Sequence, residues 1–128
     1  MIEIPAAVVL IRELARQVDF VSIGTNDLTQ YLMAADRTNA ALADYQDASQ
    51  PAVLRSIEAV VAGAHEAGIP VAVCGELAGD PTGARLLVGL GVDELSMAAP
   101  SIGRVAAVLG GASSDELALE ARRALGGG

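Results

Sequence analysis

Glu3, Asn26, Asp27, Arg37 and Cys74 are the residues whose types and placement could do chemistry. Two carboxylates at one mouth can hold Mg²⁺, a hard cation that prefers oxygen ligands and takes only one or two of them from protein, leaving other positions for water and substrate phosphate. Glu3 and Asp27 suit that role, although Glu3 also reads as a solvated strand end and Asp27 as a helix cap after Gly24-Thr25-Asn26. Arg37 presents a guanidinium able to clamp a carboxylate or phosphate through two parallel hydrogen bonds, or to pair on the surface with Asp36 or Asp44. Cys74 reads structurally as a small buried hydrophobe. As a thiolate nucleophile it would need a nearby base or cation, and the single histidine, His65, belongs to a preceding helix. As a proton donor it needs only an S–H aimed at a carbanion or enolate. His65 itself stands near a helix C-terminus, where an imidazole interacts favourably with the dipole.

These groups can meet only if the elements carrying them deliver them to one place. Met1-Ile2-Glu3-Ile4 reads as the end of a strand running into a helix opened by Pro5 and extending about three turns. That abrupt opening predicts a chain cut from a longer one. Val18 to Ile23 is a short β-branched strand ending in Gly24-Thr25-Asn26-Asp27, with a helix over Leu28 to Ala35. Residues 37–50 are polar and alanine-rich without clear periodicity, and Pro51 opens an amphipathic helix that runs through Ala67 and stops at Gly68. Ile69 to Val73 is a buried strand leading to Cys74-Gly75-Glu76, and Asp80 caps a helix from Pro81 to about Gly89. Glu94 to Met97 is a fourth strand, followed by helices over Pro100 to Leu109 and Ser114 to Leu125 and a glycine tail. Strands alternating with helices predict an α/β fold with parallel strands, either an open doubly wound sheet or part of a (β/α)8 barrel. In both, the βα loops gather at the carboxyl ends of the strands, so Glu3, Asn26, Asp27 and Cys74 should share one rim.

Composition removes several other classes. The 128 residues are 52% hydrophobic but only 2% aromatic, which predicts a core of Ala, Val, Leu and Ile held by many small contacts. A net charge of −8, with all eight basic residues Arg, lacks the footprint of a nucleic-acid binder. With no Lys there is no Schiff-base chemistry. One Cys forms no intrachain disulfide, no signal segment opens the chain, and no apolar run reaches the roughly 20 residues of a membrane span, all of which favour the cytoplasm.

Long ordered motifs add a resemblance. Met1-Ile2-Glu3-Ile4-Pro5-Ala6-Ala7, Ser22-Ile23-Gly24-Thr25-Asn26-Asp27-Leu28-Thr29-Gln30-Tyr31, Ala34-Ala35-Asp36-Arg37, Cys74-Gly75-Glu76-Leu77-Ala78-Gly79-Asp80 and Asp93-Glu94-Leu95-Ser96-Met97 resemble the phosphoenolpyruvate (PEP)-binding domain of the Enzyme I family of the bacterial sugar phosphotransferase system. The likeness extends from residue 1 to about residue 109. It implies that residues 1–128 are the C-terminal part of a (β/α)8 TIM-type barrel, holding its last three strands and the tip of a fourth, while residues 110–128 read by their own pattern as a C-terminal helix and glycine tail. It further implies that Glu3 and Asp27 ligate Mg²⁺, that Asn26 and Asp27 contact the PEP phosphate region, that Arg37 binds PEP, and that Cys74 protonates enolpyruvate to pyruvate.

In that family the phosphorylated histidine sits in a separate swivelling domain, and further PEP-binding arginines lie on earlier barrel strands. Neither region is in this sequence, and His65 does not match the phosphorylated histidine. The resemblance implies as partner the histidine-containing phosphocarrier protein HPr, met through the family's N-terminal domain. It also predicts that this chain alone does not phosphorylate HPr. An open sheet edge and apolar helix faces predict association with a second copy or with a missing half. Pyruvate phosphate dikinase and PEP synthase look similar around Gly24-Thr25-Asn26-Asp27, but Thr29-Gln30-Tyr31 with Ala34-Ala35-Asp36-Arg37, and Glu76-Leu77-Ala78-Gly79, are closer to Enzyme I. A non-catalytic dimerisation or regulatory segment that merely retains these residues is the third reading.

Overall fold

The computed structural model describes residues 1–126, and the last two glycines of the expected tail, 127 and 128, lie outside the described residues. Three parallel strands, β1 (Val21–Gly24), β2 (Val71–Cys74) and β3 (Glu94–Leu95), form a sheet in sequential order. Ile2 adds an isolated parallel bridge to Ile23 on the outer side of β1. The α/β class with parallel strands therefore holds.

Side chains alternate across the sheet as period two requires. Val21 and Ile23 stand opposite Val71 and Val73 in register, and all four are buried in one cluster with Ile2 and Leu28. Ser22, Ala72 and Cys74 point the other way and are only half-buried.

The helix α4 (Pro51–Glu66) supplies the opposing face of that core. Val53, Leu54, Ile57, Val60, Val61 and Ala64 repeat at helical spacing and are all buried. Gly68, at φ 76°, ends the helix as expected, its N–H donating to the His65 carbonyl at 2.9 Å.

The single helix expected after Pro5 is two short ones, α1 (Pro5–Val9) and α2 (Ile11–Ala15), separated at Leu10. The break lets Ile11 and Ala15 reach α4 while Val9 and Leu10 stay exposed. It depends on Gly63, where a Cβ would lie 2.6 Å from Ile11 Cγ2.

Strand limits also differ from expectation. β1 begins at Val21 rather than Val18, because its ladder starts where the Val21 N–H reaches the Pro70 carbonyl, leaving Val18 and Phe20 exposed. β2 runs to Cys74, so the thiol sits on the strand itself, and β3 is two residues long, without Ser96 and Met97.

The helix α3 (Thr25–Leu32) starts three residues before the expected Leu28, so Asn26 and Asp27 occupy its first turn. Ala34, at φ 51°, then turns the chain back. A 3₁₀-helix over Ala40–Tyr45, with Asn39 Oδ1 accepting from the Ala41 N–H at 3.1 Å, orders part of the segment without periodicity.

A one-turn helix not anticipated from sequence, α5 (Glu76–Gly79), follows Gly75. Asp80 then caps α6 (Pro81–Gly89) by accepting from the Gly83 N–H at 2.7 Å, as expected. The closing helices are α7 (Ala99–Gly110) and α8 (Ser114–Ala124), the latter opened by a reciprocal capping box between Ser113 and Glu116. Arg85 joins all three elements, donating to the Val108 carbonyl at 3.0 Å and to Glu120 Oε2 at 2.9 Å.

Candidate functional site

The last rung of the β1–β2 ladder pairs Gly24 with Cys74. A Cβ on Gly24 would lie 2.9 Å from Glu3 Cγ and 3.0 Å from Glu3 Oε1, so the Glu3 side chain covers the space that any larger residue would fill. Glu3 and Cys74 thus flank Gly24 on the half-open face of the sheet, at its carboxyl edge. The Cys74 thiol donates to the Ile23 carbonyl at 3.6 Å, and the Ser22 hydroxyl approaches Sγ at 4.0 Å.

Two glycine-dependent contacts lock α3 against the turn after Cys74. Gly75 takes φ 111°, a conformation that favours glycine. A Cβ there would be 2.3 Å from Thr25 Oγ1. The Thr25 hydroxyl, fully buried, donates to the Cys74 carbonyl at 3.0 Å, and Asn26 Oδ1 accepts from the Glu76 N–H at 3.4 Å.

Asn26 stands where three adjoining clefts meet. The largest, about 510 Å³, is lined by Gly75, Glu76, Asp80, Met97 and Arg104 among others. A second, about 290 Å³, runs toward Asp47 and Ser49, and a third, about 220 Å³, toward Gln30 and Arg37.

Arg37 Nη2 lies 2.9 Å from Asp27 Oδ1, so its carboxylate partner is Asp27 rather than Asp36 or Asp44. The Arg37 N–H also donates to Gln30 Oε1 at 3.1 Å, which ties this segment to α3. Asp36 instead accepts from the Thr38 N–H and hydroxyl, and those bonds, with a smaller contribution from Arg37, hold its carboxyl below the usual range. Asp27 is no helix cap either, because Gly24 occupies the cap position and no side chain caps α3.

The expected metal donors, Glu3 and Asp27, stand beside Gly24 and in the first turn of α3 respectively, and Glu76 and Asp80 line the neighbouring cleft with Asn26. Among the described residues no group of three or more His, Cys, Asp and Glu side chains gathers. Carboxylate and amide oxygens of this kind suit a hard cation such as Mg²⁺ better than a transition metal, which favours imidazole or thiolate.

His65 lies elsewhere. Its Nε2 is 2.8 Å from Asp93 Oδ2, which also accepts from the N–H of Val71, the first residue of β2. Cys74 is the last residue of that strand, so the histidine belongs to the opposite edge of the sheet. Its hydrogen bond to Asp93, together with the Val71 N–H, holds the Asp93 carboxyl below its ordinary value.

Sequence reasoning missed three contributors. Thr25 was signalled only by its place within Gly24-Thr25-Asn26-Asp27, Glu76 contributes through its backbone N–H, and Arg104 lines the largest cleft from α7 with no motif to mark it.

Residues 1–113 match the family described as PEP-utilising enzyme, PEP-binding domain. A multiphosphoryl transfer protein of Rhodobacter capsulatus is 52% identical over 125 residues, covering 98% of this chain and 15% of that protein. Phosphoenolpyruvate-protein phosphotransferases of Haloferax volcanii and Cupriavidus necator are 51% and 55% identical over 109 and 97 residues, covering 85% and 76% of this chain and 19% and 17% of theirs. The chain therefore spans less than a fifth of the length of each of these relatives. Among the described residues no helix is long and apolar enough to cross a membrane.

Proposed function

The chain belongs to the PEP-utilising enzymes through their PEP-binding domain, and from that premise we propose that it forms the carboxyl-edge wall of a PEP-protein phosphotransferase site within a (β/α)8 barrel. The observation that carries this reading is the meeting of Glu3 and Cys74 across Gly24 on one sheet face. The relatives' names favour phosphotransferase over dikinase or synthase.

In this reading Glu3 and Asp27 hold Mg²⁺ through carboxylate oxygens, and Asn26 and Asp27 face the phosphate region of PEP. The ion, when bound, would neutralise charge on the phosphoryl group as it leaves. Arg37, oriented by Asp27, offsets the anionic charge of PEP with its own guanidinium. Departure of the phosphoryl group to a histidine on another domain leaves enolpyruvate. The S–H bond of Cys74 then breaks as a C–H bond forms at the methylene carbon, giving pyruvate and a thiolate that regains its proton from solvent. HPr is the final phosphoryl acceptor, reached through an N-terminal domain, in a cytoplasmic homo-oligomer.

Titration calorimetry of the chain with PEP and Mg²⁺ tests the reading. The expected result is a binding heat for wild type that is lost in Glu3→Ala and Asp27→Ala. Undiminished binding by both variants would overturn it.

A further inference from the structure

Of the groups around the rim, Thr25 is the one whose chemistry is fully buried and yet reaches the proposed proton donor directly. Its side chain is 0% exposed, and its hydroxyl donates to the Cys74 carbonyl at 3.0 Å. Its own carbonyl accepts from the Thr29 hydroxyl at 2.7 Å, which anchors Thr25 within α3. Gly75, at φ 111°, leaves open the space in which a Cβ would strike Thr25 Oγ1.

We propose that Thr25 is a positioning residue for Cys74, fixing the Cys74–Gly75 peptide so that the thiol keeps a constant offset from Asn26 and Asp27 at the start of the same helix. The inference rests on the reading of Cys74 as proton donor. Asn26 and Asp27 directly follow Thr25 in α3, while Cys74 comes from a strand about fifty positions later. A hydrogen bond between the two elements converts two independent placements into one. Without it, the Cys74 carbonyl loses its side-chain donor, and the turn into α5 is held by the 3.4 Å contact between Glu76 and Asn26 together with packing.

The hydroxyl is the part of Thr25 that matters in this scheme. Thr25→Ser keeps the donor, whereas Thr25→Val keeps the shape and removes it. Because the chain has a single cysteine, thiol alkylation reports on Cys74 alone.

Two reagents separate position from accessibility. With 3-bromopyruvate and Mg²⁺ the keto acid must dock before the sulfur displaces bromide, forming an S–C bond and releasing the thiol proton to buffer. Iodoacetamide undergoes the same displacement without docking. For Thr25→Val the expected saturated rate with bromopyruvate falls about tenfold while its half-saturation concentration stays within about twofold, since misplacement affects the reacting geometry rather than binding. Iodoacetamide should react several-fold faster with the same variant, because the thiol is freed. Thr25→Ser should restore both rates. Simple loosening of the fold would raise both rates together, so opposite changes mark a positioning role.

Unchanged rates with both reagents in Thr25→Val, or a parallel rise in both, would overturn the inference while leaving the functional reading in place. If bromopyruvate neither saturates nor outpaces iodoacetamide in wild type, the functional reading fails. The inference falls with it as a catalytic role, and the iodoacetamide comparison then tests only whether the Thr25 hydroxyl holds the Cys74 thiol, which equal rates in wild type and Thr25→Val, or a rise that Thr25→Ser does not reverse, overturn. Should Thr25→Val not fold, a folded Thr25→Ser with both wild-type rates supports the inference, and one with altered rates overturns it.

Discussion

Arg37 and Asp27 are joined by a 2.9 Å contact between Nη2 and Oδ1 across the bend that follows α3. Asp27 lies in the first turn of that helix and Arg37 beyond its end, so the pair closes a loop over Gln30 and the smallest of the three clefts. Both partners are about a third or more exposed, which puts the pair's own contribution to stability in the range of roughly 0–1 kcal/mol.

Arg37→Ala should therefore leave the urea midpoint nearly unchanged, and on the proposed reading it should weaken PEP binding by about tenfold or more through loss of a charge-assisted partner. Calorimetry and urea titration on the same samples check both halves. A large loss of stability with unchanged PEP affinity would assign Arg37 to the fold instead.

Asp93 makes stability depend on acid. Its carboxyl is held below the ordinary value first by His65 and then by the Val71 N–H, so the folded state releases this proton more readily than the unfolded chain. The contribution is fully present above the unfolded carboxylate value of about 4 and is lost as pH falls through the lower folded value. Glu66, Glu116 and Glu120 are shifted the same way by Arg12, Ser113 and Arg85 respectively. Urea titrations from neutral pH down to acid should show falling stability for wild type and a shallower acid limb for Asp93→Asn. Identical pH profiles would remove Asp93 from the account.

Gly63 admits Ile11 so closely that Gly63→Ala should destabilise the chain by about 1–3 kcal/mol through overpacking between α2 and α4. A second change, Ile11→Ala, removes both Cγ atoms that the new Cβ would meet and should cost less in Gly63→Ala than in wild type, giving a coupling energy between the two sites. Additive effects in a double-mutant cycle would show that the contact is not the cause.

Much of this architecture was legible because its signals are local. Pro51 with the spacing from Val53 to Ala64 marked α4, Gly68 its end, and Asp80 the cap of α6. The junctions holding Glu3, Asn26-Asp27 and Cys74 were readable as strand ends, and parallel topology accounts for Glu3 and Cys74 flanking Gly24 and for Asn26 meeting Glu76. What escaped depends on partners distant in sequence. The break at Leu10 answers to Gly63, the late start of β1 to Pro70, and the early start of α3 to Thr25 and its bond with Cys74. Arg37 could be placed near a carboxylate from sequence, but the choice of Asp27 over its neighbour Asp36 was made by the reversal at Ala34.

The crowding over Gly24 also limits how this sequence can drift. A single added carbon there would press on Glu3, so a side chain at that position requires the acidic neighbour to shift or to change with it. Gly103, with open space around it, carries no such bond between two positions and can diverge alone.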